Sequence, residues 1–74
     1  MREDFEKAKE YYQLTIEYAP EFAPVFDRLG YIFDQQNQPD SALYYYQRLG
    51  ELRPSDPRLN AKIRSLQQAV DSIR

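Results

Sequence analysis

A chain of 74 residues that repeats itself has few ways to fold. Shifting it by 34 residues lays Ala8 on Ala42, Tyr11 on Tyr45, Tyr12 on Tyr46, Gln13 on Gln47, Glu17 on Glu51 and Pro20 on Pro54. These are six identities in the 17 positions from 4 to 20, where unrelated residues would give about one. A period between about 20 and 50 residues marks stacked supersecondary units, none of which buries its apolar side without a neighbour. The length leaves room for a single core, so residues 1–74 read as one helical-repeat domain.

Four periodic segments follow. The first, about Asp4 to Ala19, places Phe5, Ala8, Tyr12, Thr15 and Ile16 at helical spacing, with Glu3, Asp4 and Glu6 at the positive end of the helix dipole. The second, about Phe22 to Gln36, has Pro24 in its first turn and Asn37 set to close it in the left-handed conformation. Its predicted stripe is Phe22, Phe26, Leu29 and Phe33. The third, about Pro39 to Leu52, turns Ala42, Leu43, Tyr46 and Leu49 inward and is stopped by Pro54. The fourth opens with Asp56 as N-cap and Pro57 as first helical residue, then spaces Leu59, Ile63, Leu66, Val70 and Ile73 by fours and threes. Short loops between them turn each helix back on its predecessor. The expected fold class is all-α: four helices in antiparallel helix-turn-helix units.

Phe26, Leu29-Gly30, Phe33, Ala42, Tyr46 and Pro54 stand at the spacing of the tetratricopeptide repeat, and residues 23–56 resemble one complete repeat of that family. Residues 4–20 resemble the second helix of a preceding repeat, with Ala8, Tyr12 and Pro20 in the matching places. After Asp56 the pattern lapses, because Asn60 and Arg64 occupy the positions of the first aromatic and the Gly; residues 56–73 therefore resemble a capping helix. The resemblance implies that Gly30 and Ala42 meet at the closest helix crossing. Leu49 and Gly50 depart from the family pattern, so the last turn of the third helix is expected to pack differently or fray.

The seven tyrosines include the run Tyr44-Tyr45-Tyr46. Consecutive helical residues point about 100° apart, so the run is not one cluster. Tyr12 and Tyr46 are expected in the core, Tyr11 and Tyr45 half-buried, and Tyr44 outward.

Composition narrows the function classes. Without Cys or His the chain has no thiolate or imidazole for nucleophilic catalysis, zinc fingers, haem ligation or disulfides; only carboxylates remain as metal ligands. Asp27 and Asp34 share a helix face, but no nucleophile or phosphate-binding Gly loop accompanies them, so no enzyme, metal or cofactor is expected. Ten basic and twelve acidic residues give a net charge of −2, which does not point to nucleic acid. The start, Met1-Arg2-Glu3-Asp4, lacks the apolar core of a signal peptide, and no apolar run approaches the roughly 20 residues of a membrane span. The expectation is a soluble protein, cytoplasmic by default.

What the resemblance implies is a non-enzymatic scaffold that binds a peptide or partner protein on a concave helical face. The register puts Asp27, Tyr31, Asp34 and Gln35 of the second segment on that face, with Arg58, Lys62 and Ser65 of the fourth. Asp27 and Tyr31 hold the positions of the family's carboxylate clamp, so a partner of the chaperone-tail type is not expected. The alternative is self-association. The first segment lacks the helix that would precede it, and an exposed Phe5, Tyr11 or Ile16 could be covered by a second copy in a homo-oligomer. Residues 1–21 carry −3 and residues 55–74 carry +2, which also allows head-to-tail pairing. The half-repeat start equally fits a piece, excised or engineered, of a longer repeat protein.

Overall fold

Local capping chemistry sets where each helix begins and ends. In the computed structural model, which describes residues 4–73, α1 spans Phe5–Tyr18, α2 Ala23–Gln35, α3 Pro39–Leu52 and α4 Pro57–Ile73. Together they hold 83% of those residues, and no strand occurs among them. Met1, Arg2, Glu3 and Arg74 lie outside the described residues, as does the side chain of Ile73.

The Asp4 carboxylate accepts from the Lys7 N–H at 3.1 Å, satisfying one of the free donors at the start of α1. Asp56 does the same for α4, accepting from the N–H groups of Arg58 at 3.1 Å and Leu59 at 3.3 Å. Pro24, Pro39 and Pro57 occupy first turns, where a missing N–H costs nothing.

Between α2 and α3, Asn37 adopts φ 58°. Its N–H donates to the Asp34 carbonyl at 3.1 Å, and the Gln38 N–H donates to the Phe33 carbonyl at 2.9 Å, the two bonds of a Schellman motif. Asn37→Val forces a β-branched residue into this left-handed conformation and is expected to lower stability by about 1–2 kcal/mol. Asn37→Gly is expected to change it by only a few tenths. Urea unfolding of the two variants checks the difference.

Packing is sequential: α1 lies on α2, α2 on α3 and α3 on α4, with the α2–α3 contact the most extensive. The core is built around α3, where Ala42, Leu43, Tyr46 and Leu49 are buried against Phe26 of α2 and Leu59 and Leu66 of α4. α2 is covered from two sides, and Val25 and Ile32 are buried beside the expected Phe26 and Leu29. Phe22 departs from its predicted stripe: it is the N-cap of α2 and half of it faces solvent. No residue of α1 is fully buried, because only one flank of that helix meets a neighbour.

The atoms nearest to where a Cβ on Gly30 would sit all belong to the Tyr46 ring, at 2.8–2.9 Å, so Gly30 admits the Tyr46 side chain. One further expectation changes. α3 does not fray at Gly50 but continues to Leu52. A Cβ on Gly50 would lie 3.2 Å from Ile63 Cδ1, so this glycine admits α4 close to α3.

Candidate functional site

The helices α2 and α4 make no backbone-level contact with each other, yet their side chains meet over α3. Asp34 Oδ2 accepts from Lys62 Nζ at 2.7 Å, and this ion pair spans the groove between the two helices. It separates two clefts. One, of about 330 Å³, lies among Asp27, Tyr46, Arg53, Asp56, Arg58 and Lys62, with Leu49 and Leu59 at its base. The other, of about 390 Å³, lies among Asp34, Asn37, Lys62, Ser65 and Ala69, with Pro39 and Leu66 also lining it.

Five of the seven residues expected on the concave side thus line this groove: Asp27, Asp34, Arg58, Lys62 and Ser65. Tyr31 is exposed on α2 and close enough to influence the Tyr46 hydroxyl electrostatically. Gln35 is exposed but lines neither cleft. Its neighbour Gln36 turns the other way and accepts from Lys9 of α1 at 3.2 Å.

The two walls differ in sign. α2 supplies Asp27 and Asp34; α4 supplies Arg58 and Lys62, joined by Arg53 from the end of α3. Asp56 adds a carboxylate to the basic side, but its oxygen already caps α4. A ligand lying along the groove therefore meets acceptors on one side and cationic donors on the other. The Asp34–Lys62 pair is partly solvated, with side-chain exposures of 29% and 42%. Such a pair contributes about 0.2–1 kcal/mol, so a ligand that competes for either partner faces little resistance.

Tyr46 forms the floor. Its ring lies over Gly30 and only 7% of the residue remains accessible. Burial, then the charges of Asp27 and Asp34 and the nearby Tyr31, pushes its phenol up to about 12 from 10.0. The hydroxyl stays a neutral donor at the edge of the groove. A raised pKa favours the protonated phenol in the fold, so its contribution to stability is complete below pH 10 and is lost as pH rises towards 12. Tyr46→Phe is accordingly expected to flatten the fall in stability over that interval, measured by urea unfolding across the pH series.

Arg53 and Tyr46 were not among the residues expected at the groove. Tyr46 reads as core from its position in the repeat, which is true of its ring; a buried tyrosine must still place its polar tip somewhere, and that was the available signal. Arg53 ends α3, outside any helical face pattern, and reaches the cleft because the α3–α4 connection is short. Among the described residues no three potential ligands gather to hold a metal, and no helix is long and apolar enough to cross a membrane. No family model, curated protein or solved structure matches the chain.

Proposed function

We propose that this protein is a non-enzymatic interaction module of the tetratricopeptide type, which receives an extended segment of a partner protein in the groove between α2 and α4. The observation that carries the reading is the groove's polarity: an acidic wall from α2 faces a basic wall from α4, bridged by one partly solvated ion pair. Opposed walls of this kind select a segment whose own charges alternate in sign, and they reject like-charged segments more strongly than they reward matching ones. Leu49, Leu59 and Leu66 close the base of the clefts but are only 3–6% exposed, so recognition rests on the charged walls.

The 34-residue register supports the same reading, since it matches α1 to α3 as second helices of successive units, with α2 opening the complete repeat and α4 following it as the cap. The test is a display selection of short random peptides against the parent protein. Enriched sequences are expected to combine acidic and basic residues and to lose binding to a variant with Asp27→Lys and Asp34→Lys.

A further inference from the structure

The most exposed apolar surface of the molecule lies away from the groove. Tyr11, Leu14 and Tyr18 recur at i, i+3 and i+7 along α1 and are 67%, 52% and 86% accessible. Three large side chains on one stripe are not the scattered exposure usual on a protein surface. Phe5 and Ile16, also expected there, are instead half-buried on the side of α1 that meets the rest of the fold, with Ile16 packed against the core.

The internal repeat shows what kind of element this stripe accommodates. Under the 34-residue shift, Tyr11 corresponds to Tyr45 and Leu14 to Arg48. Both counterparts touch α2. The Tyr45 ring stacks on Phe33 at 5.5 Å, nearly parallel, and lies 6.5 Å from Phe26. The Arg48 guanidinium sits 5.7 Å from the Phe26 ring centroid. Tyr12 corresponds to Tyr46, whose ring covers Gly30. Among the described residues no helix lies over Tyr11 and Leu14, while Tyr12, expected in the core, is half-buried beside Tyr11; Leu14 makes the surface more apolar than its Arg48 counterpart.

The charges around the stripe indicate what the covering helix carries. Exposed Glu10 and Glu17 lie along one flank of the stripe, with Lys7 in line with it at its N-terminal end; Glu6 pairs with Lys9, which turns to α2, and Asp4 caps α1. A second copy is a poor occupant. Antiparallel pairing of two α1 helices would oppose their Glu10 and Glu17 rows, and the outward side of α4 presents exposed Asn60, Arg64 and Gln67 instead of an apolar stripe. The other large exposed apolar residues, Phe22, Tyr31, Tyr44 and Leu52, are scattered over α2, α3 and the connection before α2.

We propose that the outer face of α1 is a second docking surface, which takes a basic amphipathic helix of another protein, packed as α2 packs on α3. Such a helix presents two aromatic or large aliphatic side chains seven residues apart, as Phe26 and Phe33 are, with a small residue between them for Tyr12 to cover. This surface is independent of the groove, so either can fail without the other.

The probe is a helix-stabilised synthetic peptide of residues 22–36 carrying Asp27→Lys and Asp34→Lys, which keeps the seam that covers α3 and makes its charge basic. It is expected to bind the parent protein, more weakly as ionic strength rises. Tyr11→Ala with Leu14→Ala in the protein is expected to weaken binding by at least about tenfold. Tyr44→Ala is expected to leave it unchanged, and circular dichroism should show both variants folded. A peptide with the additional change Gly30→Leu is expected to lose affinity, because the Tyr12 ring would then have nowhere to lie. The proposal is overturned if the peptide does not bind, if it binds the double variant as tightly as the parent, or if the unmodified acidic peptide binds equally well. It is also overturned if the parent sediments as a dimer that the double variant dissociates, because a second copy then covers the stripe.

Discussion

Gly30→Leu is expected to destabilise the protein by about 3 kcal/mol, at the upper end of what overpacking a close contact costs. A Cβ at this position would lie 2.8 Å from Cε2 and Cζ of Tyr46, closer than real Cβ contacts come. The ring has no simple retreat, since Tyr46 is 7% exposed and its neighbours Ala42 and Leu49 on α3 are 0% and 3% exposed. Either the ring leaves its rotamer or α2 moves away from α3, across the most extensive contact in the fold. Helix propensity works the other way, favouring the substitution by about 1 kcal/mol, so a net loss isolates the steric term. For a domain this small, a loss of 1 kcal/mol lowers Tm by about 4–8 °C, so the expected change exceeds 10 °C in a thermal melt. Gly30→Leu combined with Tyr46→Ala should be less destabilised than the two single changes added, because the leucine then occupies the vacated space. A Gly30→Leu variant that melts with the parent would mean that α2 and α3 do not meet in this register.

The same contact shows how far the sequence could be read. Capping residues act through neighbours one to four positions away, and these were legible: Pro39 and Pro57 begin α3 and α4 as expected, Asp56 caps α4, and Asn37 takes the left-handed conformation. Burial depends on how many flanks of a helix are covered, and a single stripe cannot report that. α2 lies between α1 and α3, so Val25 and Ile32 are buried one position before Phe26 and Phe33, on a second stripe that was not anticipated. α1 has one neighbour, so Tyr11 is exposed although its counterpart Tyr45 is half-covered by aromatic rings.

The groove was legible by face and not by pairing. The spacing of Asp27 and Asp34 puts them on one side of α2, but Asp34 meets Lys62 across 28 positions of sequence. Which cation it meets follows from the relative slide of two helices that touch only through side chains, and no local pattern encodes that slide.

Asp27→Lys together with Asp34→Lys is expected to abolish capture of a partner segment while leaving the helices intact. Both carboxylates lie on the acidic wall, and replacing them leaves Arg53, Arg58 and Lys62 facing two further ammonium groups across the groove. A segment selected by the parent brings its basic side chains towards α2, where it now meets repulsion, at a cost of about 2–5 kcal/mol per desolvated contact. Losing about 3 kcal/mol is already more than a hundredfold in Kd. The fold should tolerate the change, because the Asp34–Lys62 pair is partly solvated and contributes about 1 kcal/mol at most. Circular dichroism and urea unfolding of the variant check that assumption separately from binding. Asp34→Lys with Lys62→Asp separates stability from recognition. The pair is restored with its direction reversed, so stability should return to near the parent value while the parent's selected peptides remain unbound. Fluorescence anisotropy with those peptides measures both variants against Tyr11→Ala with Leu14→Ala, which alters the far side of the molecule and should bind them as the parent does. Unchanged affinity for the double-lysine protein would place the binding site outside the α2–α4 groove.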